Sequence, residues 1–392
     1  MEILTNPKFD FLGKKNWFIA ASLIIVLASV VSLSLRGIPL GIDFRGGADI
    51  QLKFRQAPPL SQLRSGLDAA GFKGVSLQLI GKAEDNEVII QLDPHMRGET
   101  TEVPKEQEDL AADVLRAIRT NEEKAAVQGK VDLNTAGESE IRKNLLNVLG
   151  AGREEEAARA ASAITHARNE RGGLIPDVAA VKSLPEITPA ISSWLDSTAI
   201  AGPFAITSID YVGPAVGSDL RTKARWAVLM SLIVMLVYIA FRFKAWSYGV
   251  SAIVTLAYDV MVTLGFISFF RKEFDLTVLA AVLTIVGYSL NDTIVIFDRV
   301  RENLRLRRSG SIEKIFNDSI NETLSRTILT SFLVFIVLVS IYVFGGSRLE
   351  PFSFALLIGS ISGTYSTIYI SSPVVIWWIR LVTERRKAAA RA

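Results

Sequence analysis

The sequence predicts an α-helical membrane protein with six transmembrane helices and one large extramembrane α+β domain. Three observations predict it. Apolar runs long enough to cross a bilayer occur once near the N-terminus and five times after residue 225. The block 36–225 between them is polar. Charged residues avoid the runs and gather in short segments beside them. Hydrophobic residues make up 49% of the 392, and mean hydropathy is +0.32, high for a soluble chain.

Residues 1–16 form a polar tail with Lys8, Lys14 and Lys15. Trp17–Leu35 exceeds the roughly 7–15 residues of a signal-peptide apolar core, and no small-x-small cleavage site stands out at its end. It is read as the first span, with Trp17 as an interface anchor. The remaining spans are predicted at 226–241, 248–270, 276–297, 326–344 and 352–378. The last is long enough to tilt or to extend beyond the membrane. Between spans four and five, in 298–325, Ile312, Ile315, Phe316 and Ile320 recur at helical spacing. That pattern predicts an amphipathic helix lying along the membrane surface.

Loop charges orient the spans. Arg242 and Lys244 follow span two. Arg299, Arg301, Arg305, Arg307, Arg308 and Lys314 follow span four. Arg380, Arg385, Arg386, Lys387 and Arg391 follow span six, in the tail 379–392. These fall on one side with the N-terminal lysines, so both termini are expected in the cytoplasm and the 36–225 block outside. Arg271 and Lys272 oppose the trend, beside Glu273 and Asp275.

The outer block begins with a strand-like alternation at 48–54. A helical stretch at 60–70 and further alternations at 75–80, 87–92 and 205–212 follow. Strand, helix, strand, strand suggests a ferredoxin-like α/β plate. Residues 94–200 break the pattern with Ala, Glu and Arg and are read as a helical insertion. Within it, 132–173 resembles a helix-hairpin-helix module around Leu149-Gly-Ala-Gly152. Such turns can offer N–H groups to phosphate, but Glu154, Glu155 and Glu156 follow at once. A structural or protein-contact role is expected, not nucleic-acid binding.

Composition excludes several chemistries. The net charge of +3 is small and sits beside the apolar runs. There is no cysteine, hence no disulfide or thiolate metal site. The two histidines, His95 and His166, lie outside the runs, so no histidine proton wire crosses the membrane. No Gly-x-x-x-x-Gly-Lys motif, zinc-spaced ligand set or nucleophile elbow is present. The chain is not expected to be an enzyme.

The residue that stands out is Asp292. A carboxylate at membrane depth is costly and normally faces protein or water along an ion or substrate path. At 1.5 Å per residue it lies about 24 Å along its span from the outer end. Arg326 opens the next span from the same side. A guanidinium favours the charged carboxylate while burial opposes it, so the pair suits either proton handling or a static buried ion pair that fixes helix packing. Tyr288, one turn away, and Asn291 either orient water at Asp292 or hydrogen-bond between helices. Asp259 is the second intramembrane acid, with a proton role or a packing role. Gly46, Gly47, Gly213 and Pro214 flank the outer block as hinges or tight junctions. Asp43 has no companion ligands and reads as a turn cap.

Gly41-Ile-Asp-Phe-Arg-Gly-Gly47, Tyr211-Val-Gly-Pro-Ala-Val-Gly217, Val286-Gly-Tyr-Ser-Leu-Asn-Asp-Thr293, Phe297-Asp-Arg-Val-Arg-Glu-Asn303 and Thr323-Leu-Ser-Arg-Thr327 together resemble the SecF family. SecF is the smaller half of the SecD–SecF protein-export accessory, within the resistance-nodulation-division superfamily. The resemblance covers residues 1–93 and 201–385, with the insertion as a departure. It implies a bacterial inner-membrane subunit with a periplasmic outer domain, acting with SecD, SecYEG and the translocating preprotein. YajC and YidC are further partners it suggests. It implies protons as the coupling ion and no cofactor, with the essential carboxylate at Asp292 and the arginine at Arg326. Family members often carry His-Asp where this chain has Tyr258-Asp259. The alternative reading is a proton-driven small-molecule or lipid exporter of the same superfamily.

Overall fold

The computed structural model describes residues 7–72, 75–81, 83–93, 107–243, 246–306 and 311–389; His95, Lys244, Arg307, Arg308 and Arg391 lie outside them. The chain divides into two compact units, residues 1–44 with 218–392, and residues 45–217.

The first unit is helical. Among the described residues, six helices are long and apolar enough to cross a membrane: Lys15–Arg36, Pro214–Phe243, Trp246–Phe269, Leu276–Leu306, Ile312–Phe344 and Arg348–Glu384. A helix satisfies its backbone hydrogen bonds internally, as lipid requires. The third, fourth and sixth form the interior; the first, second and fifth turn most of their surface outward. The first span buries Ser22, Ser29 and Ser32 while Leu23, Ile24, Leu27 and Leu35 stay exposed. Small polar residues inside and large aliphatic ones outside invert the soluble pattern and suit a lipid surround.

Close approach depends on small residues. A Cβ added at Gly265 in the third span would lie 2.3 Å from Ser29 Cβ and 2.7 Å from Ser29 Cα. Backbone cannot yield as a flexible side chain can. Gly265→Ala is therefore expected to displace the first span and to lower the melting temperature of the purified protein by several degrees. An unchanged melting curve would show that the contact is not constraining.

Several boundaries differ from expectation. The second span starts at Pro214, whose fixed φ suits a first helical position, and not at 226. The fourth runs on to Leu306. Among the described residues of the stretch before span five there is no separate surface helix: residues 312–325 are the first turns of the continuous helix Ile312–Phe344. Its apolar stripe, Phe316 and Ile320, packs on Phe297, Val300 and Leu12 inside the bundle, so the periodicity marked a core contact. The sixth span begins at Gly346, within the expected loop 345–351, and is interrupted by a π-helical turn at Thr367–Ser371. Lys272, which opposed the loop-charge trend, is paired with Glu350 at 2.5 Å. The N-terminal tail is docked: Asn317 Nδ2 and Asn321 Nδ2 both donate to the Phe9 carbonyl at 2.8 Å.

The second unit carries a four-stranded antiparallel sheet of strands Gly47–Phe54, Ser76–Ile80, Glu87–Leu92 and Phe204–Val212. In space the second strand lies at one edge, followed by the third, the first and the last. Ile50 and Leu52 alternate into the core with Val88 and Ile90, as the sequence period requires. Two helices cover that face, Leu60–Ala69 and Gln107–Ile118. The second was expected in the helical insertion. Val114 and Ile118 instead pack with Leu63, Leu67 and Phe204, so the insertion starts after Ile118.

The insertion has its own core around Leu133, Ile141, Leu145, Ile164, Ile191 and Leu195. Its ends are held by a short parallel pairing of Val131–Asp132 with Ala199–Ile200. Beside it Asp132 accepts from Arg119 at 2.7 Å and from the Gly202 N–H at 2.9 Å. Arg168 donates to the carbonyls of Leu133 and Ala136, and burial lowers its pKa from the ordinary arginine value. Helices Glu138–Leu149 and Glu154–Glu170 form the hairpin, with Gly150 and Gly152 at φ 83° and 92° in its turn. The Gly152 N–H, the kind of group that would meet a phosphate, donates to Glu154 Oε1 at 3.2 Å. The turn is thus filled by the chain's own carboxylate.

Candidate functional site

Asp292 sits on the buried face of the fourth span, 5% exposed. The register of that helix is fixed at its N-terminus by two carboxylates. Asp275 accepts from the Val278 N–H at 2.7 Å, and Asp43, in the short helix Ile42–Arg45 after the first span, accepts from the Leu276 N–H at 3.0 Å. Asp43 therefore caps a helix remote in sequence, where a local turn cap was expected.

Ser331 of the fifth span is the hydroxyl that faces Asp292, and Arg326 acts on the carboxylate through its charge. Ser331 Oγ also accepts from Tyr288 Oη at 3.1 Å and lies 2.9 Å from Thr364 Oγ1 of the sixth span. Spans four, five and six thus meet in one hydroxyl cluster around a carboxylate. Arg326 is exposed on the surface of this chain, at the margin of the cluster. Asn291 is not brought in; it lies on the exposed side of the same helix. Thr330 donates only to the backbone carbonyls of Arg326 and Thr327. The Thr327 hydroxyl is buried without a partner among the described residues.

Asp259 is fully buried in the third span. Ser289 Oγ donates to its Oδ2 at 2.5 Å, Ser362 Oγ to its Oδ1 at 2.5 Å and Ser366 Oγ to its Oδ2 at 2.9 Å. A carboxylate that accepts three hydroxyls ties the third, fourth and sixth spans together. Around it Thr293 and Thr367 hydroxyls lie 3.1 Å apart, and Gly363 lets the sixth span approach Ser289. The π-helical turn begins one residue after Ser366, so the wide turn and the acid share one level. The signal in the sequence was the i, i+4 pair Ser362 and Ser366, lost among other small residues of that span. Near Tyr258, Ser22 Oγ donates to the Phe18 carbonyl at 2.8 Å and lies 2.9 Å from Tyr365 Oη.

The glycine motifs separate into two kinds. Gly46 and Gly47 hold φ 79° and 113°, which L side chains rarely adopt, and a Cβ on Gly46 would stand 3.2 Å from Pro214 Cα. These motifs meet at one end of the sheet, where Gly47 pairs with Val212. Gly41 donates its N–H to the Phe274 carbonyl at 3.0 Å. Gly213 has neither positive φ nor a close neighbour, so nothing conformational makes it a hinge; the Gly217 N–H donates to its carbonyl at 3.0 Å in the first helical turn. Among the described residues no group of three or more His, Asp or Glu is placed to hold a metal ion.

The family model described as protein export membrane protein SecD/SecF, C-terminal, matches residues 195–381. The SecD/SecF GG motif matches residues 31–58. The protein translocase subunit SecF of Koribacter versatilis is 39% identical, over 96% of this chain and 93% of its own length. That of Pseudomonas aeruginosa is 31% identical, over 96% and 92%. A solved structure of SecDF, a translocon-associated membrane protein from Thermus thermophilus, aligns with TM-score 0.63 at 27% identity over 96% of this chain. SecDF in a super-membrane-facing form aligns with TM-score 0.55 at 28% identity over 99% of it. The chain spans 39% and 41% of the lengths of those two longer chains.

Proposed function

Because the chain belongs to the SecF family of protein translocase subunits, we propose that it couples proton movement across the membrane to outward passage of secreted chains. It is a multi-pass membrane protein and an accessory subunit of Sec protein export. The names of its relatives decide against the small-molecule or lipid exporter.

The observation that carries the coupling is the cluster at Asp292. A buried acid beside the hydroxyl chain Tyr288, Ser331 and Thr364, with Arg326 at its margin, can exchange a proton with water that reaches the arginine side. Protonation removes the attraction to Arg326 and shifts the balance between spans four, five and six. Asp259 is the second protonatable group; a proton reaching it would have to pass through the serines that hold it. Asn291 has no part in this scheme. The second unit is read as a ferredoxin-like plate in the periplasm, with its helical insertion as the surface for protein contact. The loop charges support a reading in which both termini face the cytoplasm of a bacterial inner membrane. The chain enters and leaves the plate at the paired motifs, Gly46-Gly47 and Pro214. The driving energy is about 2.3 kcal/mol per charge per 100 mV, enough to bias a small conformational gap in each cycle.

The solved SecDF chains support a SecD-like partner, which would complete the proton path beside Arg326. SecYEG is the channel it would serve, with YajC and YidC as further contacts. Affinity purification of the tagged chain from membranes is expected to retain SecD and SecYEG. Recovery of the chain without either would contradict the proposed assembly.

A further inference from the structure

A cavity of about 620 Å³ opens between the first, third and sixth spans, remote in role from the Asp292 cluster. Its walls are apolar, with Ile19, Leu23, Val254, Met261 and Val374 among them. The charged groups among its described lining residues are Lys15 and Arg380, and no acid joins them. Both sit at one end. Lys15 opens the first span, and Arg380 lies in the closing helix Ser372–Ala389. With an even number of spans these two ends share one membrane face.

Trp377 lines the same end, and both it and Trp17 are exposed. Exposed tryptophans beside cations mark the level of lipid headgroups. Arg380 also holds Glu313 of the fifth span. A guanidinium carries five N–H donors, so a second anion can share the fork. Deeper in, Ser22 is already partnered with Tyr365 and with the Phe18 carbonyl, and Tyr365 donates to that carbonyl at 2.7 Å. The cavity therefore presents cations at the headgroup level and a long apolar wall below.

We infer that this groove binds one anionic diacyl phospholipid, its phosphate between Lys15 and Arg380 and an acyl chain along Ile19, Leu23 and Met261. Charge complementarity selects this occupant. A neutral acyl chain alone would not use Lys15 or the N–H donors of Arg380 that Glu313 does not take, and a partner helix would have to bring a further acid to that end.

The test uses the full-length protein in detergent, with dioleoylphosphatidylglycerol and dioleoylphosphatidylcholine as probes and native mass spectrometry as the readout. The glycerol lipid is expected to be retained in preference to the choline lipid, and inorganic phosphate is not expected to displace it. Lys15→Gln with Arg380→Gln is expected to weaken its binding about thirtyfold, as two headgroup-level cations are removed. Ala257→Trp, which fills the cavity and keeps both charges, is expected to reduce retention while the melting temperature stays near wild type. Equal retention of both lipids, displacement by phosphate, or undiminished binding in the double variant would overturn the assignment. So would loss of the lipid when a SecD-like chain assembles, which would make the groove a helix interface.

Discussion

Asp292→Asn is expected to abolish export driven by the proton gradient while leaving the helical bundle folded. The amide keeps the size of the side chain and leaves the Tyr288–Ser331 and Ser331–Thr364 hydrogen bonds in place, so the contacts among spans four, five and six survive. It cannot take up or release a proton. Translocation of a precursor into inverted membrane vesicles should then lose the component that an imposed gradient adds, and keep the component that ATP alone supports. Asp292→Glu should recover part of it. Arg326→Lys keeps the charge but not the planar fork, and is expected to fall between wild type and Asp292→Asn. Gradient-driven export at the wild-type level in Asp292→Asn would remove this acid from the mechanism.

Asp259→Ala is expected to produce the second large effect, on stability. Removing the carboxylate takes the acceptor from Ser289, Ser362 and Ser366 together, at a site closed to water. At about 0.6 kcal/mol per interhelical hydrogen bond, the loss is about 2 kcal/mol. The serines recover some of it by turning to their own backbone carbonyls, as Ser366 already does toward Gly363 at 3.1 Å. Asp259→Asn retains an acceptor and should melt close to wild type in detergent. If Asp259→Ala melts with wild type, the carboxylate does not bind the three spans together. If Asp259→Asn is stable yet loses gradient-driven export, the acid also carries protons.

These two acids were unequally legible. Asp292 stood out because a carboxylate inside an otherwise apolar run is expensive, and the run itself shows in composition. Of its hydroxyl companions, Tyr288 stood out by its i, i+4 spacing and Ser331 by its place on the span of Arg326, while Thr364 did not. Thr364 lies on a third helix, and serine and threonine in spans more often satisfy themselves locally, as Thr330 does. The setting of Asp259 was hidden for the same reason, since its donors come from two other helices. The cap at Leu276 combined Asp43 with a helix more than two hundred residues away, a pairing no local pattern encodes.

The fold shows the same division. Period-two alternation placed the strands to within a residue or two, because one face of the sheet is buried. The helices of the outer unit were harder: Gln107–Ile118 is as rich in alanine and charged residues as the insertion, and the packing of Val114 and Ile118 on the sheet tells them apart. The stripe through Phe316 and Ile320 has the amphipathic spacing of a surface helix, and a period cannot say whether its apolar side meets lipid or a neighbouring helix. The π-helical turn at Thr367–Ser371 left no signal that propensity could read.

The most direct measurement is proton uptake into proteoliposomes that contain the chain assembled with its SecD-like partner and the translocon, followed with an internal pH dye under an imposed potential. The account predicts potential-driven flux from the wild-type complex that rises when a precursor is engaged, and none above protein-free vesicles from Asp292→Asn. Equal flux from both complexes would contradict it.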